Sequence, residues 1–444
     1  MRSLFITLCY ASFFIVGAVA PFVFTLGYLW VDSFLPQAIA FSLINDLPVS
    51  MIAAIAAFGG YALLDRRDPP RICFMTVLLV LFAAWVTLST FAWAVVPIAA
   101  ATKWNVVVKT LVFTAFIPLV IRSRIQIEAF LQVWLFGFAI NFLPLGVKAL
   151  ISGGSYGREL GVQSSGAGAF SLGSDARTAT LALMFVPIML FLRQHTKILP
   201  AHWLTSAMYL TIIVIAFCAA YGTYERTAVV VAAVLATLLW LKSRRKMLLG
   251  AAFVVATLVG ASFVPADWME RMATIAEPGH ENRLDVWRWT LDYALEHPLG
   301  GGFEVHQIDR LGPVNPDGSR SWLYAHNDFF EVLGEQGWLG LTIFVALIAT
   351  SVFYLRGAAR RARRFPNLAW CRDLATALQM ALVVQLTGGM FVALGFQPPL
   401  YMIFALAISL REYVYRVVKA SERPIASMGR PGERGLATSP QPSR

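Results

Sequence analysis

ENRLDVWRWTLDYALEHPLGGGF, residues 281–303, and AHNDFFEVLGEQGWLGL, residues 325–341, lie inside the one long hydrophilic excursion of this chain, from Pro265 to Gly337. On both sides of it the sequence is made of apolar runs close to the length of a bilayer-crossing helix. An extramembrane stretch of about seventy residues, rich in Arg, His, Asp and Trp, is either an active-site lid or a docking surface. We read it as an active site.

The rest of the chain sets the class. Of its 444 residues 58% are hydrophobic and 14% charged, with a mean hydropathy of +0.66. A soluble core of this size needs a more polar exterior, so the composition indicates a polytopic membrane protein with one membrane domain. Cys9, Cys73, Cys218 and Cys371 lie far apart in or beside apolar runs, which shows neither a disulfide framework nor zinc-ligand spacing. The net charge of +11 comes from short basic clusters between apolar runs, a pattern that sets membrane orientation rather than nucleic-acid binding.

Apolar runs fall at about 4–31, 38–64, 72–93, 104–121, 125–150, 176–193, 203–221, 227–242, 247–264, 338–356, 374–395 and 399–418. The expected fold is therefore an all-α bundle of about twelve transmembrane helices with one large periplasmic helical loop. Residues 1–264 hold the first nine helices, 265–337 the catalytic loop and 338–420 the last three. Residues 421–444, rich in Pro, Ser, Gly and Arg, form a disordered cytoplasmic tail. The first run, opening Met1-Arg2, is read as a retained helix rather than a cleaved signal peptide.

With both ends cytoplasmic, every inner loop is basic, and 25 of the 36 Lys and Arg residues lie inside. The long loop is then extracytoplasmic. Lys103, Lys109, Lys148, Arg158, Arg177, Arg226, Arg271, Arg283, Arg288, Arg310 and Arg320 are left on the outer side or within spans, where orientation does not explain them. Each answers to an anion, pairs with a local acid or is solvated.

Helical geometry separates two of these. On a helix over 282–296, Leu284, Trp287, Leu291 and Leu295 form an apolar stripe, with Asp285, Arg288, Asp292 and Glu296 along one flank. Arg288 has acids at i−3 and i+4 and reads as structural. Arg283 has Val286 and Trp287 at its contact positions and no acid in helical reach, which fits it to a ligand anion. Arg226, in YGTYERTAVVV, stands at the outer mouth of a span, where a helix N-terminus offers unpaired N–H groups and the positive end of its dipole. It either completes a phosphate site there or snorkels beside Glu225. Asn327 and Asp328 suit a helix start and Gly337 its end, which puts His326 just before an N-terminus. A neutral imidazole at that place accepts a proton from an attacking hydroxyl, and the plainer reading is a hydrogen-bonding structural histidine. Gly300 to Gly302 lack the strand, Lys and Ser/Thr of a P-loop and read as a turn. Trp287, Trp289, Trp322 and Tyr324 either stack on sugar rings or pack at the membrane surface.

The order GTYERT, ENRLDVW, PLGGGF (298–303) and AHNDFFEVLGEQGWLGL resembles the O-antigen ligase superfamily, nearest its exosortase A-associated O-glycosylation ligase branch. The Gly-rich GGSYGRELGVQSSG (153–166) and RMATI (271–275) are similar to that branch too. The resemblance implies an inverting, metal-independent glycosyl transfer from an undecaprenyl-diphosphate-linked glycan to a glycan, lipid or protein hydroxyl, with no cofactor. It implies a site on the periplasmic side of a bacterial inner membrane, with membrane lipids as surroundings and no nucleic acid as partner. Arg226 and Arg283 match the residues expected to hold the diphosphate, and His326 the histidine. Arg177, in SDARTATLALM, departs from the more neutral sequences of the family and is either an added phosphate or glycan contact or a peculiarity of this chain; Asn327, Trp287 and Tyr324 are further candidate substrate contacts. A repeat-unit polymerase is the alternative within the superfamily. A lipid-linked glycan flippase is the alternative outside it, but a transporter places its charged site near the bilayer midplane between repeated halves, and no internal repeat is visible.

Overall fold

Prolines, buried charges and one glycine decide where the helices of this chain begin, break and bend. The computed structural model describes residues 2–40, 47–67, 70–152, 175–248, 250–251, 253–255, 281–314 and 319–422. The Gly-rich 153–166 segment, Arg158, RMATI with Arg271, most of the expected 247–264 span and the tail from 423 lie outside the described residues.

The described helices are α1 (Arg2–Val19), α2 (Phe22–Phe34), α3 (Pro36–Ile39), α4 (Val49–Leu64), α5 (Phe74–Ala92), α6 (Pro97–Val120) and α7 (Arg124–Ile151). They continue as α8 (Asp175–His195), α9 (Trp203–Gly222), α10 (Arg226–Lys242), α11 (Glu281–Glu296), α12 (Asp328–Ala362), α13 (Ala369–Gly389) and α14 (Pro398–Glu422). Seven of them, α1, α5, α6, α7, α8, α9 and α12, are long and apolar enough to cross a membrane. That makes the chain a helical protein of polytopic membrane type.

Three boundaries depart from the sequence reading, each for a physical reason. The run 4–31 is two helices rather than one, because Pro21 cannot donate to the preceding turn and starts α2 instead. α6 begins at Pro97, a full turn and more before the expected 104, because Lys103, the first of its two lysines, turns inward onto carboxylates and does not end the helix. α12 joins the helix expected to end at Gly337 to the next span, with Gly337 at φ 66° and ψ −169° as the break between them.

α12 packs against α5, α13 and α14, with α11 laid on its first half, while α8 is held by α9, α10 and α13. Every residue of α14 from Pro398 to Leu410 is buried, as expected of a helix apolar on all sides at the centre of a bundle. At one end Lys242, Arg356, Arg360 and Arg363 line a common groove between α10, α12 and α13. The opposite end carries the starts of α6, α8, α10 and α12.

There the turn Pro298–Phe303 is sewn into the α12 break. The N–H groups of Gly301 and Gly302 donate to the carbonyls of Gly334 and Glu335 at 3.0 and 2.9 Å, and Trp338 N–H donates to Pro298 O at 3.0 Å. Val95 N–H, from the α5–α6 connection, donates to Gly301 O at 2.9 Å. The turn thus takes up backbone groups that the helix releases at its kink. Only glycine fits at the crossing. A Cβ on Gly337 would stand 2.3 Å from Pro298 O, and one on Gly300 (φ +76°) 2.4 Å from Gly337 N.

Candidate active site

His326 ends an extended segment that follows an isolated bridge between Val314 and Arg320. Asn327 is the N-cap of α12, its Oδ1 accepting from the N–H groups of Phe329 (2.9 Å) and Phe330 (3.3 Å). Its Nδ2 donates to Met390 O at 3.3 Å, so the carboxamide is engaged at both ends within the chain. The residue just before this cap, His326, adopts φ 47°. A left-handed histidine costs backbone energy and persists only where its surroundings hold it.

Trp287 supplies much of that hold. Its Nε1 donates to Ala325 O at 2.7 Å, and its ring stacks on Phe330 at 5.1 Å with the planes 3° apart. One side chain of α11 therefore holds the chain on both sides of His326, by the Ala325 carbonyl before it and the Phe330 ring after it, and Arg283 stands one turn earlier on the same helix. The face of α11 turned inward is Val286, Thr290 and Ala294, all fully buried, with Arg283 half-buried at its head. The leucine stripe read from the sequence is on the outside: Leu284, Leu291 and Leu295 are exposed. Small residues win the inner face because α11 approaches α12 closely at Gly334, which a longer side chain would prevent.

Arg226 is the first residue of α10, behind Glu225 as N-cap. Burial lowers the Arg283 guanidinium below its ordinary value, Glu225 acts against that, and Arg226 adds to it. The lone-cation reading of Arg283 needs that amendment, since an acid from another helix shares its neighbourhood. Burial likewise lowers the His326 imidazole, and Arg283 and Arg177 push it further in the same direction. Four segments distant in sequence, the starts of α8, α10 and α11 and the approach to α12, thus bring Arg177, Arg226, Arg283 and His326 into one electrostatic neighbourhood. Arg288 is apart from it, largely exposed and 3.8 Å from Asp285. Tyr324 donates to Glu304 Oε2 at 2.9 Å and meets Trp322 edge-on at 4.6 Å.

Sequence reading missed His306. It is 1% exposed, 5.5 Å from the Trp289 ring, and among the described residues neither ring nitrogen has a hydrogen-bond partner. Burial first and Lys103 second push its pKa from 6.5 down to about 3. The folded protein therefore keeps His306 neutral, whereas the unfolded chain protonates it below pH 6.5. The stability this confers is complete above pH 6.5 and is lost as pH falls toward 3. Between pH 6.5 and 5 the expected loss is about 2 kcal/mol. Thermal unfolding of the purified protein across that interval should show the slope, and His306→Gln should flatten it. Equal slopes for the two proteins would rule the assignment out.

A helical membrane protein with a cationic site at one end of its bundle is the class defined so far. Residues 211–345 match the family described as O-Antigen ligase, and residues 1–197 match a family of unknown function, DUF5935. The first match takes in Arg226, Arg283, His326 and the Gly337 break, and supports a ligase- or polymerase-like membrane enzyme of the O-antigen ligase superfamily. Such a family implies a lipid-linked glycan donor and a glycan acceptor. No curated protein matches the chain.

Proposed function

We propose that this protein transfers a glycan, with inversion and without a metal, from undecaprenyl diphosphate to an acceptor hydroxyl at the periplasmic face of a bacterial inner membrane. About twelve spans would carry the site. The observation that supports this most is that Arg283, itself acted on by Arg226, shares with Arg177 the neighbourhood of a histidine whose imidazole is lowered by burial and by Arg283 and Arg177.

The chemistry follows from the side chains. Arg226 and Arg283 hold the diphosphate and take up the charge that develops on it as the bond to the anomeric carbon breaks. Arg177 stands on the same side, near enough to act on His326. The acceptor oxygen attacks the anomeric carbon from the face opposite the diphosphate. His326, neutral at periplasmic pH, takes the acceptor's proton. The activated donor supplies the energy, so the outer face needs no nucleotide.

The resemblance to the exosortase-associated branch favours a ligase acting on a protein or lipid hydroxyl. A purified enzyme given lipid-linked donor alone should be silent until acceptor is added. A donor-only ladder of lengthening lipid-linked chains would instead identify a repeat-unit polymerase, and donor moved between leaflets without transfer would identify a flippase.

A further inference from the structure

Lys103 is one of the eleven cations for which orientation gave no account, and the structure surrounds it with acids from distant parts of the chain. Its Nζ lies 2.8 Å from Glu331 Oε1, 2.7 Å from Glu335 Oε1 and 3.5 Å from Glu304 Oε1. The Phe303 and Phe396 rings flank it at 5.6 and 5.2 Å. All four charged side chains are largely buried, Glu335 at 1% exposure. Three carboxylates around one ammonium are a costly way to stabilise a fold, since removal of charges from water is only partly repaid by pairing. Such a cluster inside a membrane bundle is expected to serve the site it adjoins.

Glu304 shows what the cluster holds. It is non-glycine at φ 63°, a strained conformation kept by contacts at both of its ends. Its backbone N–H donates to Glu335 Oε1 at 2.9 Å. Its Oε1 faces Lys103, while Oε2 accepts from Tyr324 Oη at 2.9 Å and Gln307 Nε2 at 3.1 Å. Tyr324 lies two residues before His326, and the two rings meet edge-on at 6.4 Å. A continuous set of contacts therefore runs from α6 through Lys103, Glu304 and Tyr324 to the segment that carries the histidine.

We propose that Lys103 and Glu304 are positioning residues for His326: Lys103 fixes the Glu304 carboxylate, and Glu304, by accepting from Tyr324, fixes the extended segment against the bundle. The inference rests on the glycosyl-transfer reading for its effect on turnover, and on geometry alone for the tether. Trp287 holds the backbone beside His326 from the α11 side, and the Lys103 chain holds it from the α6 side. Loss of either leaves the histidine tethered on one side only.

The test uses the full-length enzyme reconstituted in lipid nanodiscs, with lipid-linked donor and acceptor. Tyr324→Phe and Glu304→Gln cut the chain while retaining shape, and Lys103→Arg keeps the charge. Lys103→Met combined with Glu331→Gln and Glu335→Gln removes the lysine without leaving those two carboxylates unpaired, which guards against simple misfolding. Tyr324→Phe and Glu304→Gln should lower kcat about 10- to 100-fold with donor and acceptor KM near their unmutated values, since a displacement of about 1 Å suffices for such a loss. Lys103→Arg should recover part of the rate that the triple variant loses. Hydrogen exchange of amides in 319–327 should quicken in each cut variant. Unchanged kcat with unchanged exchange would overturn the proposal, as would an acceptor KM that rises at constant kcat, which would make Tyr324 a sugar contact instead. If the unmutated protein transfers nothing from any donor, the proposed reaction fails, and the exchange measurement still decides the tether.

Discussion

Arg283→Ala should lower glycan transfer by about 10²- to 10³-fold in folded protein, the cost of removing one fixed donor from a developing oxyanion. Arg283 is half-buried at the head of the inner face of α11, in the electrostatic neighbourhood of Arg226, Glu225 and His326. Arg283→Lys should recover only part, because an ammonium keeps the charge and loses the two-pronged contact to phosphate oxygens. Arg288, five positions on, is the internal control. Its ion pair with Asp285 is long and open to solvent, so Arg288→Ala should disturb neither turnover nor folding appreciably. The comparison is read by single-turnover assays alongside thermal melts. Equal tolerance of the two alanines would remove the phosphate role from Arg283.

His326→Ala should cost about 10²- to 10⁴-fold in rate while donor binding persists, because the arginines that hold the diphosphate remain. The pH profile supplies a second reading. A base works when unprotonated, so activity should fall on acidification, and since burial, Arg283 and Arg177 all lower the imidazole, that fall should lie below pH 6.5. Arg177→Gln removes one of the repelling cations and should shift the acid limb upward in pH. An acid limb that ignored Arg177, or a rate indifferent to His326→Ala, would take the base role away from this residue.

Much of this arrangement was legible in the sequence, for reasons that also explain the gaps. The long helices follow from apolar runs whose length the bilayer dictates, and Arg226, Arg283 and His326 drew notice as polar groups that topology did not need. Lys103 drew notice too, but its partners Glu331 and Glu335 lie 228 and 232 positions away, beyond any helical spacing rule. His306 sits in a short 3₁₀ turn with no periodicity to place it. Helical periodicity grouped the leucines of α11 into one apolar stripe, whereas close approach at Gly334 selects Thr290 and Ala294 for its inner face. The hydrogen bonds of Trp287 and Asn327 end on backbone carbonyls of Ala325 and Met390, partners that no side-chain pattern records.

The break at Gly337 bears on how the enzyme meets bilayers of different thickness. Above the break, the Asp328–Gln336 turns are bound to Pro298–Phe303 and to Trp85 and Ser89 of α5, through Gln336. Below it, the remainder of α12 runs on among membrane-spanning helices. A thicker or thinner hydrocarbon layer changes the tilt of such a span at modest cost. With a non-helical residue between the two parts, we expect that adjustment to be taken up as a bend at Gly337. On the proposed function, His326 should then keep its height relative to the donor phosphates, so that turnover should vary little between bilayers of differing lipid chain length.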